Sequence, residues 1–149
     1  MKSLTSKLIK TVGYIIQYGC VVHCVSKYLG DIVMCSGRSM EPTVYSDDIV
    51  FIEHLSPRFR YISRGDVIIA KCPTNPKQYI CKRVVGLPGD KIKTGFTTSQ
   101  TVPPAHVWLE GDNRENSSDS RAYGPVPLGL ICSRAMFVIW PFKHIGSFV

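Results

Sequence analysis

Tyr79-Ile80-Cys81-Lys82-Arg83-Val84-Val85-Gly86-Leu87-Pro88-Gly89-Asp90 is the stretch on which the fold class turns. Residues 80–85 form a short apolar, β-branched run, and Leu87-Pro88-Gly89-Asp90 closes it with turn-forming residues. Strand alternation places Ile80, Lys82 and Val84 on one face and Cys81, Arg83 and Val85 on the other, so one of the two cations points to the apolar side. Lysine is seldom fully buried, and an edge strand with its charges reaching into water is the ordinary reading of such a run. The same rhythm continues outward. Strands are predicted at 49–53, 67–71, 80–85, 91–93, 107–110 and 131–139. Pro57, Arg64-Gly65-Asp66, Pro73-Thr74-Asn75-Pro76, Val102-Pro103-Pro104 and Gly111-Asp112-Asn113 mark turns between them. Short strands at this spacing predict a mainly β domain, sandwich or barrel-like.

The chain has 149 residues, which suits a single domain, and its 44% hydrophobic content suffices for a core. Net charge is +7, but the lysines and arginines form no dense run, so nucleic acid is not an expected partner. Residues 11–26 hold no Asp, Glu, Lys or Arg; Lys2, Lys7 and Lys10 precede them and Lys27 follows. Three readings fit: a cleavable signal peptide, a core or interfacial helix, or a single membrane anchor whose flanking lysines extend its reach. No small-residue cleavage site follows the run, and the charge flanks favour the anchor. If it spans, the three preceding lysines put the N-terminus on the cytoplasmic or matrix side. The predicted organisation is therefore an anchor segment at 1–30 and a β domain at 31–149. None of the six cysteines forms a C-x-x-C pair. Cys20 and Cys24, with His23 between them, read as small buried hydrophobes rather than metal ligands, and sequence alone pairs none of the other four. No cofactor and no metal is expected.

Two further segments carry polar chemistry. Gly37-Arg38-Ser39-Met40-Glu41-Pro42-Thr43 places a serine in a short turn, which alone is commonplace. Gly111-Asp112-Asn113-Arg114-Glu115-Asn116-Ser117-Ser118-Asp119-Ser120-Arg121 is dense in hydrogen-bonding groups and reads as a solvated loop or an ordered site. Together with residues 82–90 and Arg64-Gly65-Asp66-Val67, these segments resemble, in order and identity, the four signature boxes of the type I signal peptidase family. The resemblance covers about residues 32–127, and four ordered boxes are a specific signal.

That resemblance implies a signal-peptidase-like β domain and a serine endopeptidase with Ser39 as nucleophile and Lys82 as general base. A serine hydroxyl needs a neighbouring base. A lysine with its ordinary pKa near 10.4 is protonated at neutral pH, and burial among apolar groups such as Ile80, Val84 and Val85 disfavours the ammonium. The resemblance further implies that Ser117 orients the lysine amine, that Asp112, Asp119 and Arg121 brace the site with Arg83 as an ion partner, and that the Ser39 backbone N–H forms part of an oxyanion hole. Bacterial members often carry a serine two positions before the nucleophile; here Gly37 stands there, which leaves the second oxyanion donor open. His23, His54, His106 and His144 lie outside the boxes and read as structural or surface residues.

Only about twenty residues separate Asp90 from Gly111, where bacterial members often have a large insertion. The 37–43 turn is most similar to the compact branch of the family found in mitochondria. That branch implies a matrix-facing N-terminus, a catalytic domain in the intermembrane space, a homologous second protease subunit and presequence-bearing proteins as substrates. A compact bacterial signal peptidase and a non-catalytic partner subunit of the same fold are the alternatives. A self-cleaving repressor of the LexA type shares Ser/Lys chemistry. It needs a DNA-binding segment and an Ala-Gly site, and this chain has neither room for the first nor the second.

Overall fold

The computed structural model describes residues 2–94 and 99–148, so Met1 and Val149, the outer ends of the two predicted segments, lie outside the described residues. The chain opens with helix α1 (Lys2–Tyr28) and continues as strands β1 (Gly30–Met34) and β2 (Ile49–Glu53), short helix α2 (Leu55–Arg58), and strands β3 (Val67–Lys71), β4 (Tyr79–Gly86), β5 (Lys91–Lys93) and β6 (Ser99–Thr101). Strand β7 (His106–Glu110), helix α3 (Ser120–Tyr123), and strands β8 (Val126–Pro127), β9 (Ile131–Trp140) and β10 (Gly146–Ser147) complete it. The protein is mainly β with one N-terminal apolar helix.

The large sheet runs β1-β2-β9-β3-β4-β7-β8, with β10 added to β9, and the pairs are antiparallel. β5 and β6 form a separate hairpin. Register shifts at Ile49/Val50 and Phe51/Ile52 of β2, Ile69/Ala70 of β3 and Val84/Gly86 of β4 mark bulges, which bend strands and let the sheet curl. Curling gives the sheet two cores, and β3 shows how. Val67 and Ile69 face a cluster with Met40, Val44, Val50 and Val138. Ile68 and Ala70 face a second one with Val84, Val107, Leu109 and Val126. A strand apolar on both faces reads as a continuous run, which is why Val67-Ile68-Ile69-Ala70 shows no alternation. Fully burying side chains such as Ile68 and Leu109 contributes roughly 2 kcal/mol each.

α1 stands off this body. Lys7–Tyr28 is 22 residues long, apolar enough to cross a membrane, and unburied by the rest of the chain. That removes the core-helix reading. It also corrects the reading of Cys20 and Cys24 as buried: both are exposed, because α1 packs against no protein core at their level. All six cysteines are free thiols.

Candidate active site

Ser39 sits in the loop between β1 and β2. The base of that loop is closed by backbone bonds from Cys35 N–H to Asp48 O at 2.8 Å and from Asp47 N–H to Cys35 O at 2.8 Å. Buried Asp48 also accepts from Tyr45 N–H at 2.8 Å, and Met40 and Val44 plug the loop into the first core. The turn is thus fastened on both sides of the serine, which itself remains half-buried. Gly37 has φ +97°, a left-handed conformation that L side chains rarely adopt, so the residue two before Ser39 is constrained by its backbone.

Lys82 comes from the middle of β4, opposite Ile68 of β3. Strand parity sends it to the side of Ile80 and Val84, and it is 4% exposed. Its Nζ lies 2.6 Å from Ser39 Oγ. Burial lowers its pKa, against the opposing pull of Cys81, Asp119 and Cys72, while Arg121 adds to the lowering. Arg83, on the opposite face, forms a bidentate pair with Asp112 at 2.9 and 2.7 Å and donates to Gly65 O at 2.7 Å, joining the Arg64–Val67 turn to the 111–121 loop. Asp112 Oδ2 also accepts from Thr43 Oγ1 at 2.5 Å, which brings the serine loop into the same network.

The 111–121 loop is closed by Asp119. Its buried carboxylate accepts from Gly111 N–H at 3.0 Å, Ser117 Oγ at 2.7 Å, and Arg121 Nε and Nη2 at 2.8 and 2.7 Å. Burial works against this carboxylate, but the Arg121 guanidinium, the Gly111 N–H and the Ser117 hydroxyl together hold its pKa well below the usual range. Ser117 therefore donates to Asp119, while the hydrogen bond of the Lys82 amine runs to Ser39. The structure brings Ser39 and Lys82 together directly; Asp119, Arg121 and Ser117 form a second group beside them, and Arg83 and Asp112 a third.

A cleft of about 350 Å³ opens over Ser39 and Lys82, walled by the 35–40 segment on one side and the 78–82 segment on the other. Three contributors were not singled out by sequence reasoning. Thr43, inside the serine box, ties that box to Asp112. Gly111 is wedged so that a Cβ there would lie 2.5 Å from Ser39 O and 2.2 Å from Ser117 Oγ. Tyr123 lines the cleft with a buried hydroxyl that has no hydrogen-bond partner among the described residues. Position alone hinted at the first two, since both lie within quoted boxes; nothing marked the tyrosine. The histidines serve elsewhere: His54 Nδ1 lies 3.3 Å from Cys132 O, His106 Nδ1 2.9 Å from Pro104 O and His144 Nδ1 2.8 Å from Asp48 Oδ1, while His23 is on α1.

The family described as "Signal peptidase, peptidase S26" matches residues 8–98 and 94–140. Mitochondrial inner membrane protease subunit 1 of Homo sapiens is 54% identical over 151 residues, covering 98% of this chain and 91% of the relative. Mitochondrial inner membrane protease subunit 2 of Danio rerio is 42% identical over 120 residues, covering 76% and 66%. Among solved structures, a signal peptidase I from Enterococcus faecalis aligns with a TM-score of 0.40 at 24% identity, over 47% of this chain and 92% of that one.

Proposed function

This chain belongs to the signal peptidase family, peptidase S26, and is a serine peptidase; from that premise we propose that it is a membrane-bound endopeptidase in which Ser39 attacks and Lys82 is the general base. The observation that carries the proposal is the buried Lys82 amine 2.6 Å from Ser39 Oγ. In the neutral state of the lysine, the serine hydroxyl donates to Nζ and loses its proton to it as Oγ attacks the scissile carbonyl. The ammonium so formed protonates the leaving amine. The regenerated amine then deprotonates the water that hydrolyses the acyl-enzyme. The Ser39 backbone N–H makes no hydrogen bond among the described residues, which leaves it free to meet the oxyanion. Gly37 supplies no side-chain donor, so the second donor comes from elsewhere in the cleft lining or from a backbone N–H.

The substrates proposed are proteins delivered to the mitochondrial intermembrane space, from which the enzyme removes sorting presequences. The support is the 54% identity to a mitochondrial inner membrane protease subunit 1, against 42% to a subunit 2. α1 supplies the anchor, with the N-terminus in the matrix and the β domain in the intermembrane space; its length and flanking lysines support this. The presence of relatives of both subunit types supports a homologous second subunit as partner. The test is presequence processing by the full chain, alone and with the second subunit, using Ser39→Ala and Lys82→Ala. Both variants are expected to lose processing; near-normal turnover in either sinks the dyad.

A further inference from the structure

A second cleft, of about 590 Å³, opens where α1 meets the β domain. Its lining is basic. Lys27 enters from the last turn of α1, Arg58 and Arg60 from α2 and the turn after it, and His54 and His106 complete the rim. No Asp or Glu lines it. Among the described residues neither Lys27, Arg58 nor Arg60 has a carboxylate partner. Lys27 Nζ and the Arg58 guanidinium instead lie over the ring of Tyr28, 5.6 and 5.4 Å from its centroid. The junction is held in place, with His54 N–H donating to Leu29 O at 3.0 Å and Leu29 N–H to Val25 O at 2.9 Å.

Three cations gathered without a carboxylate repel one another, and the contacts of Lys27 and Arg58 with the Tyr28 ring offset this without neutralising the charge. The neighbours point to what relieves it. Tyr28, Leu29, Phe59 and Tyr61 are all exposed, Phe59 and Tyr61 at 62% and 74%, and their two rings lie 6.5 Å apart. Aromatic residues at the end of a long apolar helix sit where the headgroup layer meets hydrocarbon. Lys and Arg near a membrane surface attract anionic headgroups, and arginine forks suit phosphate oxygens. We propose that this cleft binds the phosphate-bearing headgroup of an anionic phospholipid in the membrane that α1 enters. The phosphate meets Arg58, Arg60 and Lys27, and the acyl chains lie along the exposed apolar flank of α1 at Val21, Val22 and Val25. Bound lipid would fix the β domain against the membrane surface. The inference rests on the reading of α1 as an anchor.

The experiment uses the full chain in mixed micelles of phosphatidylcholine and cardiolipin, with retained lipid read by native mass spectrometry. The wild-type chain is expected to retain cardiolipin over phosphatidylcholine. In Lys27→Gln/Arg58→Gln/Arg60→Gln that preference falls roughly tenfold or more. It persists in the charge-matched control Lys71→Gln/Lys91→Gln/Lys93→Gln, whose exposed lysines do not line the cleft. Equal retention by the cleft variant, or equal loss in the control, overturns the proposal. Inorganic phosphate at millimolar concentration is expected to compete only partly; complete displacement would assign the site to free anions instead. The anchor reading is tested separately by alkaline extraction of membranes holding the chain. Release of the chain would refute the anchor whatever the micelles show, and a retained chain without lipid preference would refute the headgroup site alone.

Discussion

Replacing Gly111 by alanine puts a methyl carbon 2.5 Å from the carbonyl oxygen of Ser39 and 2.2 Å from Ser117 Oγ, where ordinary contact begins at 3.4 Å. The Ser117 side chain can rotate, at the expense of its bond to Asp119. The Ser39 carbonyl is main chain, tied to Asn113 N–H at 3.1 Å, and moves only with the nucleophile attached. Relief therefore requires a displacement of about 1 Å in the residue whose Oγ must stay in line with the amine, and a misplacement of that size lowers rate ~10²-fold. The assay is cleavage of a presequence peptide by the full chain in detergent, with kcat and KM resolved and folding followed by circular dichroism. The loss is expected in kcat, because the cleft walls at 35–38 and 78–81 are untouched. Gly111→Ala/Ser117→Gly removes the clash with Ser117 and leaves the one with Ser39. It should recover only part of the lost stability, since the Ser39 clash remains and the bond to Asp119 is gone, while kcat stays low. A folded Gly111→Ala enzyme with kcat within about threefold of wild type refutes the claim that Gly111 sets the position of the nucleophile.

Burial lowers the pKa of Lys82, so activity should rise with pH through the deprotonation of a group below the ordinary lysine range, and a pH–rate profile of Lys82→Met should lack that limb. The same lowering means the unfolded chain binds the extra proton, so wild-type stability should increase as pH rises between the folded and unfolded pKa values, and urea melts of Lys82→Met should show a flatter dependence. The folded pKa of Asp119 is also depressed, so stability again rises with pH, but in the acid range: its contribution is present above the unfolded value near 3.9 and fades as pH falls towards the folded one. Asp119→Asn should unfold about 2 kcal/mol more easily at neutral pH, with a weaker acid dependence in urea titrations. Arg121→Gln exposes Lys82 to an unneutralised Asp119 carboxylate and should move the rising limb of kcat/KM to higher pH; an unmoved limb would show that Arg121 only holds the loop.

Strands with their own apolar pattern were legible: the predictions at 49–53, 67–71 and 91–93 coincide with β2, β3 and β5, and those at 80–85, 107–110 and 131–139 fall one or two residues inside β4, β7 and β9. The unpredicted strands lack such a pattern. β6 is Ser-Gln-Thr with every residue exposed, β8 is two residues ending in proline, and β10 is Gly-Ser. β1 begins Gly30-Asp31, and its apolar run Ile32-Val33-Met34 is too short to read as a strand on its own. Strand order is a matter of long-range pairing, and nothing local announces that β9 inserts between β2 and β3. At the site, alternation narrowed the buried cation to Lys82 or Arg83, and only the tertiary fold chooses between them. Ser117 illustrates the limit: sequence does not show that its hydroxyl donates to Asp119, two residues on, which leaves only its lone pairs to face an amine.

The network around the proposed Ser39–Lys82 dyad answers a problem that β4 creates. A lysine at position 82 cannot leave the sheet interior, since its neighbours by parity are Ile80 and Val84 and its cross-strand partner is Ile68. Two carboxylates, Asp112 and Asp119, lie in the adjoining loop; Asp119 is the one that pulls the Lys82 pKa up, and left unpaired it would favour the ammonium over the proposed base. Each is instead taken by an arginine. Asp112 pairs with Arg83, which alternation sends to the other face of the strand, and Asp119 pairs with Arg121 at 2.7 Å. The loop thereby gains the rigidity that charge-assisted hydrogen bonds provide while its net charge towards Lys82 stays small. Neutral hydrogen bonds would have been gentler on the lysine but weaker as braces, and unpaired carboxylates would have been strong acceptors and poor neighbours. Pairing each acid with its own guanidinium satisfies both demands. On this reading, Arg121 matters to the chemistry through the protonation state of Lys82, which it does not touch, while Arg83 acts by holding Asp112 and the loops that the pair joins.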